Sequence, residues 1–96
     1  MNPSMLNKLR KMQKEMEEAQ ERLDAAEYIG KASGVTVVMQ GTRQILDVKI
    51  DSEMAEDLEM LQDAVMIAVN DALSQIENAQ QETMGQFTGG MGGFGF

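Results

Sequence analysis

The chain has 96 residues, a net charge of −8 and a pI near 4.3, with 43% hydrophobic and only 4% aromatic residues. That length makes one domain, and its apolar share excludes a wholly disordered chain. With no cysteine or histidine, disulfides, ordinary zinc, haem and iron–sulfur centres, and thiol or imidazole catalysis are all excluded, so no cofactor is expected.

Asn2-Pro3 reads as a helix N-cap and first helical residue. Met5, Leu9, Met12, Met16, Ala19, Leu23 and Ala26 follow at alternating steps of four and three, a heptad seam. Lys11–Glu15, Lys14–Glu18 and Glu18–Arg22 are spaced to pair along a solvated face. The spacing predicts a helix from about 3 to 27. Its seam is too narrow for a buried helix, so it is expected to project from the body. Glycines 30, 34 and 41 punctuate the next stretch. "VTVVM" (35–39) and "QILDVKI" (44–50) read as strands around a "QGTR" hairpin loop, and "YIGKA" (28–32) is a candidate third strand. In the second run Leu46, Val48 and Ile50 alternate with Asp47 and Lys49, the pattern of a half-buried strand. So few strands need helices or a second sheet to cover them.

Asp51 or Ser52 caps a short turn at 53–57, and a long helix is predicted from about 58 to 84. Leu58, Leu61, Val65, Ala68, Ala72, Ile76, Ala79 and Thr83 hold one of its faces. "AVMIAV" (64–69) is apolar all round and calls for cover on every side, more than one small sheet supplies. That surplus argues for a second subunit. The last twelve residues hold six glycines and read as a flexible arm that ends the helix. The organisation expected is one domain over 1–84 and a Gly-rich tail over 85–96.

Charge is segregated: +4 over residues 1–14, −5 over 15–30, +2 over 31–50 and −9 over 51–96. In "KLRKMQK", at ~100° per residue, Lys8, Arg10, Lys11 and Lys14 fall within an arc of roughly 160°, with Leu9 and Met12 pointing the other way. Such a face is either simply solvated or a contact for a polyanion, of which nucleic-acid phosphate is the commonest. Its lack of interleaved acids weakens the first reading and leaves the two about level. The acids of 51–63 fail as a calcium loop, because Ala55, Glu56 and Gln62 occupy the positions that need an oxygen ligand, a glycine and a glutamate. They read instead as a solvated helix start. Asn70 and Asp71 in "VNDAL" read as register-fixing polar residues rather than a paired site, since no base or nucleophile lies near. No phosphate-binding glycine motif occurs, and no strand carries an aromatic platform for single-stranded nucleic acid.

"KMQKEMEEAQ", a glycine-marked hairpin ending in "VKID", then "EMLQDAVMIAVNDAL" and a closing "ETMGQFTGGM" run in this order over essentially the whole chain. In this the sequence resembles the YbaB/EbfC family of bacterial nucleoid-associated proteins. The resemblance implies an α+β protomer: a long N-terminal helix, a small antiparallel sheet of two to three strands, a short helical turn and a long C-terminal helix. It also implies an intertwined homodimer with projecting helices, DNA binding, and a role in nucleoid organisation or gene regulation. The chain departs from the family pattern after Lys49, where Ser74, Gln75, Gln80, Thr83 and Gln86 stand in neighbourhoods that often carry bases.

The expectation is therefore a non-enzymatic protein that binds double-stranded DNA weakly and with low specificity through Lys8, Arg10, Lys11 and Lys14. The dimer contact is expected at Val35, Val37, Leu46, Val48, Ile50, Val65, Val69 and Asn70. A protein–protein adaptor in DNA replication or repair, with a recombination or replication partner, is the alternative. A hydrolase lacks a water-activating group, and no metal site or small-molecule substrate is expected. No apolar run resembles a signal peptide or approaches the ~18 residues of a membrane span, so a cytoplasmic, nucleoid location is expected, with no membrane partner.

Overall fold

The computed structural model describes residues 2–92, with side-chain environments through residue 87. Helix α1 spans Pro3–Ala25, strands β1, β2 and β3 span Glu27–Ala32, Val35–Gln40 and Ile45–Ile50, a 3₁₀ turn spans Ser52–Glu56, and helix α2 spans Leu58–Gly92. The α+β architecture matches the sequence reading, with all three strands present.

The predicted cap closes α1 at its start: the Met5 N–H donates to Asn2 Oδ1 at 2.7 Å, with Pro3 in the first turn. The helix stops two residues earlier than its periodicity suggests. Ala26 is extended, and its carbonyl accepts from the Gly41 N–H at 2.9 Å. Pairing of Glu27 with Gln40 then draws the chain into β1.

The sheet is a meander in the order β1-β2-β3, antiparallel throughout. Gly34 makes the β1–β2 turn at φ +74, a conformation costly for any side chain. Arg43 takes a similar conformation, φ 73, in the β2–β3 loop. Val35, Val37 and Met39 point inward along β2 and are almost fully buried. Above them lies a row of small residues one helical turn apart on α2, Ala64, Ala68 and Ala72, with Ile76 following. Small side chains let the helix approach the sheet closely. The approach is tightest at Gly30, where even a methyl group would run into the Ala68 carbonyl oxygen and the Ala72 backbone nitrogen.

Two polar side chains of α2 fix its lateral position. Asp71 Oδ2 accepts from the Lys31 backbone N–H at 3.0 Å, and Gln75 Nε2 donates to the Ile29 carbonyl at 2.8 Å. Both partners lie on the outer edge of β1, whose other edge pairs with β2. The i,i+4 pair thus closes an open sheet edge that would otherwise invite another strand. Asp71 does fix register, but within the protomer. Replacing it by Ala should cost about 1–2 kcal/mol, because the N–H loses a charged acceptor. Faster hydrogen exchange at the Lys31 amide is the check.

Anchored over β1 and β2, α2 leaves β3 uncovered. Every residue of β3 is exposed, so the half-burial expected from its alternation is not met within one chain. A bulge opposite Val38/Met39 also shifts the register, so that Ile45, and not Leu46, pairs with Met39. The long helix is capped by Asp57, whose Oδ1 accepts from the Met60 N–H at 3.1 Å, while Asp51 makes no side-chain cap bond. It also runs on to Gly92, whereas an end near 84 was expected. Glycine weakens a helix but still offers its N–H and C=O, so propagation continues. The remainder of the Gly-rich stretch, 93–96, lies outside the described residues.

The result is long and thin, 68 × 29 × 11 Å, with a radius of gyration of 19.1 Å. A compact domain of this length would have about 13 Å. The excess comes from the two helices reaching past the sheet.

Candidate nucleic-acid interface

Only Ala19 and Leu23 of α1 are buried. They lie in its last two turns, where the helix meets α2. From Pro3 to Glu15 every residue is exposed, so the first half of the helix is free, as its narrow seam predicted.

Lys8, Arg10, Lys11 and Lys14 all sit on this free half and are exposed. Among the described residues no hydrogen bond or ion pair holds their charged ends. The predicted ladder from Lys11 and Lys14 to Glu15 and Glu18 is not closed. The i,i+4 contact that does form further along is Gln20 Nε2 donating to Asp24 Oδ1 at 2.8 Å. From Lys8 to Lys14 the helix rises about 9 Å, against about 3.4 Å of axial rise per phosphate on one DNA strand. The four cations can therefore meet two or three successive phosphates. Groups of this kind position a protein on a duplex without reading its bases.

The pairing register brings two further cations together. Lys31 opposes Thr36 and Thr36 opposes Lys49, so the three form a row across the outer face of the sheet. They are 18 residues apart in sequence, in strands whose register no local pattern reveals. Knowing the order and register of all three strands would have been needed to find them.

The residues expected at a dimer contact divide into three groups. Val35 and Val37, 2% and 0% exposed, belong to the protomer's own core and offer no surface. Val48 and Ile50 lie on the same sheet face as their partners Val37 and Val35, but outside the cover of α2, and are 42% and 48% exposed. Ile45 joins them at 44%, and Leu46, at the bulge, is 46% exposed. Val65 and Val69 are half-buried, packed at the edge of the core on the side of α2 away from the Asp71–Gln75 anchor. Together they line an apolar trough between β3 and α2. Asn70 is exposed on the back of α2, roughly 100° beyond Val69, and is not part of the trough.

A basic helix end standing free of a small α+β body, with an apolar trough on the body itself, defines a binding module. The model of the YbaB/EbfC DNA-binding family matches residues 1–91, and the chain belongs to that family. It is 46% identical to a nucleoid-associated protein of Enterococcus faecalis, over 94% of this chain and 90% of that one. A nucleoid-associated protein of Agathobacter rectalis is 43% identical, over 94% and 83% of the respective chains. In three dimensions it is similar to the crystal structure of an uncharacterized protein from Helicobacter pylori. The TM-score is 0.69 at 28% identity, covering 85% of this chain and 91% of the other.

No helix among the described residues is long and apolar enough to cross a membrane.

Proposed function

We propose that the protein binds double-stranded DNA as a homodimer and serves in nucleoid organisation or gene regulation, through phosphate contacts from Lys8, Arg10, Lys11 and Lys14. One observation carries this reading: in a family of DNA-binding proteins, the four cations stand exposed and unengaged on the free half of α1, away from the acidic body. The homodimer closes the trough of Ile45, Leu46, Val48, Ile50, Val65 and Val69, residues too apolar and too contiguous to be left in water. It places two basic helix ends on one particle.

Two or three phosphates per helix on a dimer with two such helices give a log–log salt slope of about −4 to −5, and the nine acids from Asp51 onward make the observed slope shallower. Titration of a labelled duplex at two salt concentrations measures it. Binding that is absent even at low salt would overturn the proposal and favour an adaptor that docks the basic end on an acidic protein of replication or repair.

The dimer has its own test. Val48→Glu puts a charge in the trough without touching the core and should convert a dimer to a 10.6 kDa monomer in sedimentation velocity. A wild-type chain that already sediments as a monomer would refute the trough as a subunit contact.

A further inference from the structure

The heptad seam of α1 has two halves with different fates. Ala19 and Leu23 are 1% and 8% exposed at the contact with α2, while Met5, Leu9 and Met12 are 53%, 47% and 45% exposed and Met16 is half-buried. Three consecutive seam positions, Met5, Leu9 and Met12, thus run exposed along the helix, and Met16 below them is only partly covered by the described residues. Leu6 beside them is 39% exposed.

The charge pattern indicates what fits there. The helix is bipolar: Lys8, Arg10, Lys11 and Lys14 precede Glu15, Glu17, Glu18, Glu21 and Asp24. A second α1 laid parallel stacks like charge on like. Laid antiparallel, it brings the basic half of each helix toward the acidic half of the other. In heptad terms Leu9 and Met16 are a positions, Met5 and Met12 are d positions, and Lys8 and Glu15 occupy the flanking g positions. Antiparallel packing sets a against d. The layers are then Met5 with Met16 of the second copy, Leu9 with its Met12, and the two symmetry mates. This register uses the three exposed positions and the half-buried Met16, and stops where Ala19 is already occupied. The same register sets Lys8 beside Glu15 of the second copy, twice over. Arg10, Lys11 and Lys14, at b, c and f, remain on the outer surface.

We propose that α1 pairs antiparallel with α1 of a second copy along Met5, Leu9, Met12 and Met16, with Lys8 of each facing Glu15 of the other. This contact is separate from the trough between β3 and α2, so the two together join copies into chains. Each α1 pair then shows a continuous cationic outer face, from two helices rather than one. A seam of about three turns is too short to hold firmly alone. It works where copies are already concentrated, as they are when several are held on one polymer.

The chain has no cysteine, so single cysteine probes report unambiguously. Full-length Leu9→Cys and Met12→Cys, each at an exposed position, are oxidised at high protein concentration, separately and as a mixture, without DNA. A disulfide requires Cα atoms within about 7 Å, which the antiparallel register provides between positions 9 and 12 of different copies only. The expected result is a mixed disulfide in the mixture, at least several-fold above the like-with-like products of either variant alone. Like-with-like crosslinks that form as readily as the mixed one, or no crosslink at all, would overturn the proposal. Adding Lys8→Glu should reduce the mixed product several-fold, and adding Lys8→Glu with Glu15→Lys in the same chain should restore it. Failure of that restoration also counts against the register. Because no DNA is present, the outcome is independent of whether the four cations bind phosphate.

Discussion

Replacing Lys8, Arg10, Lys11 and Lys14 by Glu should abolish binding to duplex DNA at every salt concentration and leave the fold unchanged. The fold survives because all four side chains are exposed and hold nothing in place. Acids are in fact favoured near a helix N-terminus, where the backbone dipole is positive. Binding should be lost because four reversals of two units each take the chain from −8 to −16 and remove the concentrated positive surface of α1. A control separates site from net charge. Lys11→Glu/Lys14→Glu and Lys31→Glu/Lys49→Glu change the total by the same amount, but only the first pair lies on α1. The α1 pair should weaken binding at least tenfold more than the sheet pair at low salt. Equal losses from the two would show that net charge alone governs affinity, and the interface on α1 would have to be given up. A single Lys14→Gln should flatten the salt slope by about one unit and weaken binding evenly across DNA sequences.

The second large effect concerns stability, and it takes opposite signs for one chemical change at two places. Gly30→Ala puts a methyl group into the Ala68 carbonyl oxygen and the Ala72 backbone nitrogen. Backbone on a packed helix cannot step aside as a side-chain tip can. The strand must lift, and the bonds from Asp71 to Lys31 and from Gln75 to Ile29 lengthen with it. A loss of about 3 kcal/mol is expected, at the upper end for overpacking. Gly85→Ala adds the same methyl group on α2 where nothing lies within 4 Å. There it removes glycine's backbone entropy cost and should gain about 0.8 kcal/mol. Urea unfolding of the two variants beside wild type, at one fixed protein concentration, measures both. The concentration must be fixed because association shifts apparent stability. A Gly30→Ala chain as stable as wild type would mean that α2 does not sit on β1 as closely as described.

These two glycines show why local pattern is an incomplete guide. In the sequence one is a small residue inside a candidate strand and the other the first residue of the expected Gly-rich tail. What distinguishes them is a helix that packs across one and leaves the other in open water, some forty residues away along the chain. The same holds for β3. Alternation of Leu46, Val48 and Ile50 with Asp47 and Lys49 correctly reads as a strand with an apolar face. Whether that face is covered depends on where α2 lands, and Asp71 and Gln75 hold it over β1 and β2. The bulge that sets Ile45 opposite Met39 left no sign in the alternation, because one extra residue changes phase without changing composition.

By itself the sequence determined the elements and the chemistry of the free helix. Capping by Asn2 and Pro3, the seam of α1, the β-branched runs and the long apolar-faced α2 are local, period-based signals. So is the basic face, since one helix carries all four cations and its geometry follows from their spacing. Only the tertiary structure decided which apolar residues are core and which are surface. Val35 and Val37 went under α2 and Val48 and Ile50 did not, though all four lie on one face of one sheet. It also decided that Lys31 and Lys49 share a row across Thr36, and that the seam of α1 is half covered and half free. Each of these depends on where one element docks on another, and contacts between residues far apart in the chain set that docking.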